Sequence, residues 1–364
     1  MKKNRIIKAL LFLFIITSLM LNWSPFTKGT AEAKTFRLII GAGHPPVVIW
    51  IQRLQSFFCA EVAKRVKEKT GDEIKWVHAY GGTVAQVGEV LEAVQGGSLD
   101  LGLVATPFEP TKLYIHNFSY FVPFSLNDIM QMSDVGLKVY DEVPYLKDVF
   151  EQKYNQKYLS ALAGGGYVMS GNFAWKTIDD LKGKKIGGAG PNLTWIKAVG
   201  AVPVQVTFAN AYTIAKTGVT DAGLTQASPL VSLKLYEIAE YFADCGFGAV
   251  VPSCLTINLD RWKELPDEVK EIMLKVSREY SYDQARAVKR QDERAVKFLK
   301  KKGMKMYTLP FEERVKWANK LPDIPSDSAK KGDQMGMPGT EVIKRFISLQ
   351  EQAGHKFPRR WVVK

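Results

Sequence analysis

The sequence predicts an α/β protein in two domains, with a ligand cleft between them, crossing hinge strands and a long bracing helix. Three observations carry this reading. Strand and helix patterns alternate over residues 36–105, the alternation restarts after residue 160, and one helical pattern runs from about 266 to 302.

Phe36 to Ile40 read as a buried strand, followed by the turn Gly41-Ala42-Gly43-His44-Pro45-Pro46 and a helix with Ile51, Leu54, Phe58, Val62 and Val66 on one face. Gly71 stops that helix. A strand over Ile74 to His78 leads to Val84, Val87, Leu91 and Val94 at helical spacing, then to the apolar run Leu101 to Ala105. This strand–helix–strand order implies a mainly parallel sheet. Around residue 160 the small residues Ala163-Gly164-Gly165-Gly166 mark a crossing. A second α/β unit follows: a strand from Lys184 to Gly187, a helix over Leu193 to Val199, a strand from Val202 to Val206 and a helix opening near Asn210. The apolar stretch from Gly246 to Asn258 carries the chain back to the first domain. Pro266, Asp267 and Glu268 open the long helix, and Gly303 ends it. After Leu321, Pro, Ser, Asp and Gly suggest loops, then a short helix over Thr340 to Ala353. The expected division is 34–163 plus about 248–285 as domain I and 164–247 plus about 286–364 as domain II, the helix 266–302 spanning both.

Lys2, Lys3, Arg5 and Lys8 precede an apolar run from Ala9 to Leu21, and Ala31-Glu32-Ala33 supplies a small-x-small cleavage signal. Residues 1–33 therefore read as a signal peptide of an exported, periplasmic protein. Its removal takes five basic residues and one acid, so a formal charge of +13 falls to +9. Export and the absence of a recognisable basic–aromatic module argue against a nucleic-acid partner, and the charge reads as a solvated basic surface. Of Cys59, Cys245 and Cys254, the last two are the pair whose spacing permits a disulfide; the sequence leaves that bridge open.

Catalytic and cofactor patterns are missing. The four histidines have no metal-site spacing, Val168 stands where a nucleophile elbow around Ser170 needs glycine, and Pro46 stands where a dinucleotide loop needs its third glycine. No cofactor or metal is expected, and binding is the reading that remains.

Val90-Leu91-Glu92-Ala93-Val94-Gln95-Gly96-Gly97-Ser98-Leu99-Asp100 and Val122-Pro123-Phe124 resemble the solute receptors of tripartite ATP-independent periplasmic (TRAP) transporters of the C4-dicarboxylate type. Asp180 to Ile186, Phe208-Ala209-Asn210-Ala211-Tyr212 and Thr217-Gly218-Val219-Thr220-Asp221 continue that resemblance in order and spacing. It implies a periplasmic-binding-protein-like fold of class II, a small organic acid in the cleft, and small and large membrane subunits as partners. In the family an arginine after Lys184-Lys185-Ile186 pairs with the ligand carboxylate; here that residue is Gly187. The family's ligand-contacting asparagine is here Thr225. These departures, and nearby aromatic residues, point to a ligand with a larger apolar or aromatic part, Lys216 or Arg37 being candidates for the missing charge.

The resemblance places Phe208 on the ligand. Asn192 and Trp195 lie on the segment after Gly187, where Trp195 serves equally well as a core residue. Tyr212 belongs to the same motif as Phe208, His44 to the loop after the first strand, Tyr167 to the glycine-rich crossing, and Gln86 to a helix start. The alternatives are a receptor for an ABC transporter or a sensor, and a periplasmic enzyme. A monomer is expected, with dimerisation through the long helix as the other possibility.

Overall fold

The computed structural model describes residues 33–363. The expected signal peptide lies outside them up to residue 32. The strands in chain order are β1 (Thr35–Ala42), β2 (Glu73–Tyr80), β3 (Leu101–Ala105), β4 (Gln156–Gly164), β5 (Val168–Gly171), β6 (Lys185–Gly188), β7 (Val202–Gln205), β8 (Ala222–Thr225), β9 (Tyr241–Asp244), β10 (Val250–Asn258) and β11 (Lys305–Thr308). They form two sheets, ordered β2-β1-β3-β10-β4 and β11-β9-β5-β8-β6-β7. In the first, β1 is parallel to β2 and β3, while β10 returns antiparallel between β3 and β4. In the second, β6 is parallel to β7 and β8, and β5 is antiparallel to β8 and β9.

The apolar run Leu101–Ala105 is buried at every residue because β3 lies mid-sheet and is covered on both faces. A Cβ on Gly102 would meet Val94 Cγ2 at 2.5 Å, so helix Val90–Gln95 rests directly on the strand. Ile51, Leu54, Phe58, Val62 and Val66 are all buried on one face. Their repeated four-residue spacing would drift around a regular helix of 3.6 residues per turn; a π-helical stretch, Leu54–Cys59, widens the turn and holds them in line.

Two expectations are corrected. The helix expected from Val84 begins only at Val90: Gly81 and Gly82 adopt φ of 71° and 81°, the chain turns there, and Val84 is exposed. The loops expected after Leu321 include a helix, Ile324–Gln334. Pro325 sits at its first turn, where its missing N–H costs nothing, and its small residues face helix Gly339–Gln352. A Cβ on Gly332 would lie 2.9 Å from the Gly339 Cα, so glycine composition here permits close helix packing rather than a loop.

The two sheets are connected by β4 into β5 through Gly164–Tyr167 and by β9 into β10 through Cys245–Ala249. The crossings touch: the Tyr167 N–H donates to the Gly248 carbonyl at 3.3 Å. Helix Asp267–Lys301, about 52 Å long at 1.5 Å per residue, braces both lobes. Ser277, Ser281 and Gln284 donate to the Leu159, Ala161 and Ala163 carbonyls of β4. Further along, Asp292 accepts from the Ser228 N–H at 2.7 Å, in helix Ala227–Ser232 of the second lobe. Helix Gly339–Gln352 lies against helix Ile129–Glu142, which itself packs on β4. All three cysteines are buried and free, so Cys245 and Cys254 are not bridged; the Cys254 Sγ sits 2.9 Å from the Tyr140 hydroxyl.

Candidate ligand-binding site

The strand ends of both sheets converge on one cavity of about 1350 Å³, its open mouth included. The segments after the carboxyl ends of β1, β3, β6, β7 and β8 supply His44, Phe108, Asn192, Phe208 and Gln226 to its lining, with Thr225 closing β8 itself. Ligands of open α/β sheets gather at such ends.

One group of lining residues is aromatic. His44 and Trp50 from the first lobe lie 5.4 and 5.7 Å, centroid to centroid, from Phe208 of the second, and Phe108 lies 6.3 Å from His44. Burial lowers the His44 pKa to about 4, so its imidazole is neutral at pH 7.

The other group is polar and surrounds the Tyr167 hydroxyl, which is 3.2 Å from that of Tyr120. Burial raises both phenols above the ordinary value. Asn192 and Gln226 approach the Tyr167 hydroxyl closely enough to draw its pKa back down in part. The Asn192 Oδ1 accepts from the Ala189 N–H at 2.8 Å, which fixes the amide and aims Nδ2 as a donor. The Thr225 Oγ1 is buried without a hydrogen-bond partner, and that Nδ2 and the Gln226 Oε1 have none beyond their approach to the Tyr167 hydroxyl. Polar atoms short of partners are costly in a folded interior, and three at one cavity mark where a ligand's polar atoms belong.

Of the residues selected from the sequence, His44, Tyr167, Asn192, Phe208 and Thr225 line the cavity, and Trp195, Tyr212 and Gln86 do not. Trp195 is fully buried behind the polar group, stacked on Tyr120 and Phe247, its indole N–H given to the Tyr120 carbonyl. Tyr212 points outward, its hydroxyl donating to Glu237 and its ring under Lys216. Gln86 is held in the turn after Gly82, whose carbonyl it binds. Neither Lys216 nor Arg37 lines the cavity. The sequence reading missed Trp50, Phe108, Tyr120 and Gln226. Phe108 and Gln226 stand just past the ends of β3 and β8, a position that could have flagged them; Trp50 and Tyr120 sit in apolar runs indistinguishable from core.

Residues 54–331 match the family described as bacterial extracellular solute-binding protein, family 7 (DctP). The chain belongs to that family. It is 26% identical over 229 residues to the sialic acid-binding periplasmic protein SiaP of Vibrio cholerae, covering 60% of this chain and 69% of that one. Its fold is shared with a TRAP periplasmic solute-binding protein of Bordetella bronchiseptica solved with (R)- and (S)-mandelate: TM-score 0.76, 21% identity, 87% of this chain and 99% of that one. A TRAP solute-binding protein of Rhodoferax ferrireducens with copurified benzoate aligns at TM-score 0.74 and 16% identity, over 88% and 98% of the two chains. The family and these neighbours are solute-binding receptors.

Proposed function

We propose that this family member is the periplasmic receptor of a TRAP transporter, capturing a small organic acid with an aromatic or other large apolar body and passing it to the small and large membrane subunits. The observation that carries this reading is the cavity between the strand ends of the two sheets, with ring contacts reaching across it from His44 and Trp50 to Phe208. Closure of such a cleft around solute gives a membrane partner a signal of occupancy. Export with cleavage after Ala33 and a monomeric state belong to the same proposal. So does a non-catalytic role, and so does a division into lobes near residues 164 and 248.

A thermal-shift screen of residues 34–364 against aliphatic acids, aromatic acids, amino acids, sugars and polyols tests it. At about 100 times its dissociation constant a ligand adds roughly 2.7 kcal/mol, a rise of several degrees in Tm. Aromatic monoacids should give the largest shifts. Chemical turnover of a panel member by the purified protein would replace the receptor with an enzyme.

A further inference from the structure

The polar group in the cavity has no cation. Among the described residues lining it, the one Asp, Glu, Lys or Arg is Asp221, whose Oδ2 accepts from the Lys185 N–H at 2.8 Å at the start of β6, the strand end away from Asn192. A second carboxyl group, Asp292, stands behind the wall at Ser228. Of the basic side chains on neighbouring segments, Arg53 pairs with Asp283 at 2.6 Å, Lys184 lies over the Phe173 ring and Lys216 over Tyr212. Around the polar group the facing side chains are neutral: the phenols of Tyr120 and Tyr167, the amides of Asn192 and Gln226 and the hydroxyl of Thr225. An ionised carboxylate entering this site would exchange water for neutral donors with no cation to pair it, an environment in which a carboxyl group takes up a proton rather than stay charged.

We propose that the cavity binds the polar head of its ligand uncharged, as a carboxamide, a lactam or a protonated carboxyl group carried on an aromatic body. Asn192 Nδ2 and Thr225 Oγ1 donate to the carbonyl oxygen of that head, and Gln226 Oε1 accepts its N–H or O–H, so each of the three atoms gains a partner. The inference rests on the receptor reading and names the chemistry that reading leaves open.

Calorimetry on residues 34–364 with matched pairs tests it: phenylacetamide against phenylacetate and mandelamide against mandelate, at neutral pH in two buffers of different ionisation enthalpy. The expected result is that each amide binds at least as tightly as its acid, and that any acid that binds takes up about one proton. A carboxylate bound about tenfold more tightly than its amide, with no proton uptake, would overturn the inference and leave the receptor standing. Silence from these pairs and from the wider solute panel would overturn both. Gly187→Arg is the second arm. Gly187 lines the cavity, and the new Cβ would lie 2.9 Å from Val206 Cγ2, a side chain that must give way. In a variant shown to be folded by circular dichroism, preference should swing to the carboxylate by about tenfold or more; an unchanged preference would overturn the neutral-wall account.

Discussion

The aromatic and polar groups around the cavity are held in place by opposite means. The aromatic group is assembled across the cleft, ring on ring, His44 and Trp50 from one lobe against Phe208 from the other. The polar group is held from behind by packed core: Trp195 stacks against Tyr120 and Phe247, and its carbonyl accepts from the Trp317 indole N–H at 3.0 Å. Both groups join the lobes, the aromatic one through half-buried rings and the polar one through buried rings, Tyr120 of the first lobe against Tyr167 and Trp195 of the second, so the aromatic contacts part more readily when the lobes separate. The aromatic group therefore governs closure and affinity, and the polar group governs which head is accepted.

The strongest way to break this division is Phe208→Ala. The ring is only half-buried and packs at the edge of the first lobe's core, so its loss should cost the ligand-free protein less than about 1 kcal/mol. Affinity for the best ligand should fall between about 10- and 100-fold, since the closed form loses an aromatic anchor. Calorimetry for affinity and thermal melts for stability, on the same preparation, separate the two effects. A large drop in the ligand-free Tm with unchanged affinity would place Phe208 in the core instead.

Thr225→Val sharpens the other half of the comparison. The hydroxyl is buried and has no partner in the ligand-free fold, so an isosteric methyl should leave stability unchanged or raise it by about 0.5–1 kcal/mol. The same change removes a donor from the bound head and should weaken binding about fivefold, near 1 kcal/mol. Opposite signs in Tm and affinity are the expected signature. A loss in both would mean that the hydroxyl has a structural partner, such as a buried water.

How much of this could be read from the chain follows the same line. Periodicity and end signals exposed the elements whose own residues carry the pattern: β3 from its unbroken apolar run, and the long helix from its first-turn acids and terminal glycine. Resemblance and strand-end position led to Phe208, Asn192, Thr225 and His44, which line the cavity. What stayed hidden depends on rotation and distance. Trp195 and Tyr212 both sit on short helices after parallel strands, yet one faces the core and the other the solvent, a difference set by how each helix is seated on its sheet. Tyr120 and Trp50 become cavity residues only when segments some 70 to 160 residues away fold over them, and nothing local separates them from ordinary core aromatics. Ile324–Gln334 was hidden for a related reason: its glycine and serine look like loop composition until Gly339 is set against Gly332.

The smallest expected effect concerns His44 and the aromatic group's one titratable member. Its pKa in this enclosed position is about 4, below the ordinary 6.5, so any form that exposes the ring binds more protons between those values. The enclosed form is therefore fully favoured above pH 6.5 and loses ground as pH falls towards 4. The His44 contribution to affinity for an amide ligand, which does not titrate, should be flat from pH 8 to 6.5 and then weaken binding a few-fold per pH unit, with about tenfold per unit as the linkage ceiling. His44→Phe keeps an aromatic ring against Trp50 and Phe208 and should flatten that slope. Buried His116, also lowered to about 4, titrates in the same sense, and Glu109, raised by burial to about 7, in the opposite one. Both are common to wild type and variant, so the difference between the two pH profiles isolates His44. A slope that survives the substitution would move the acid sensitivity out of the cleft and into the fold beneath it.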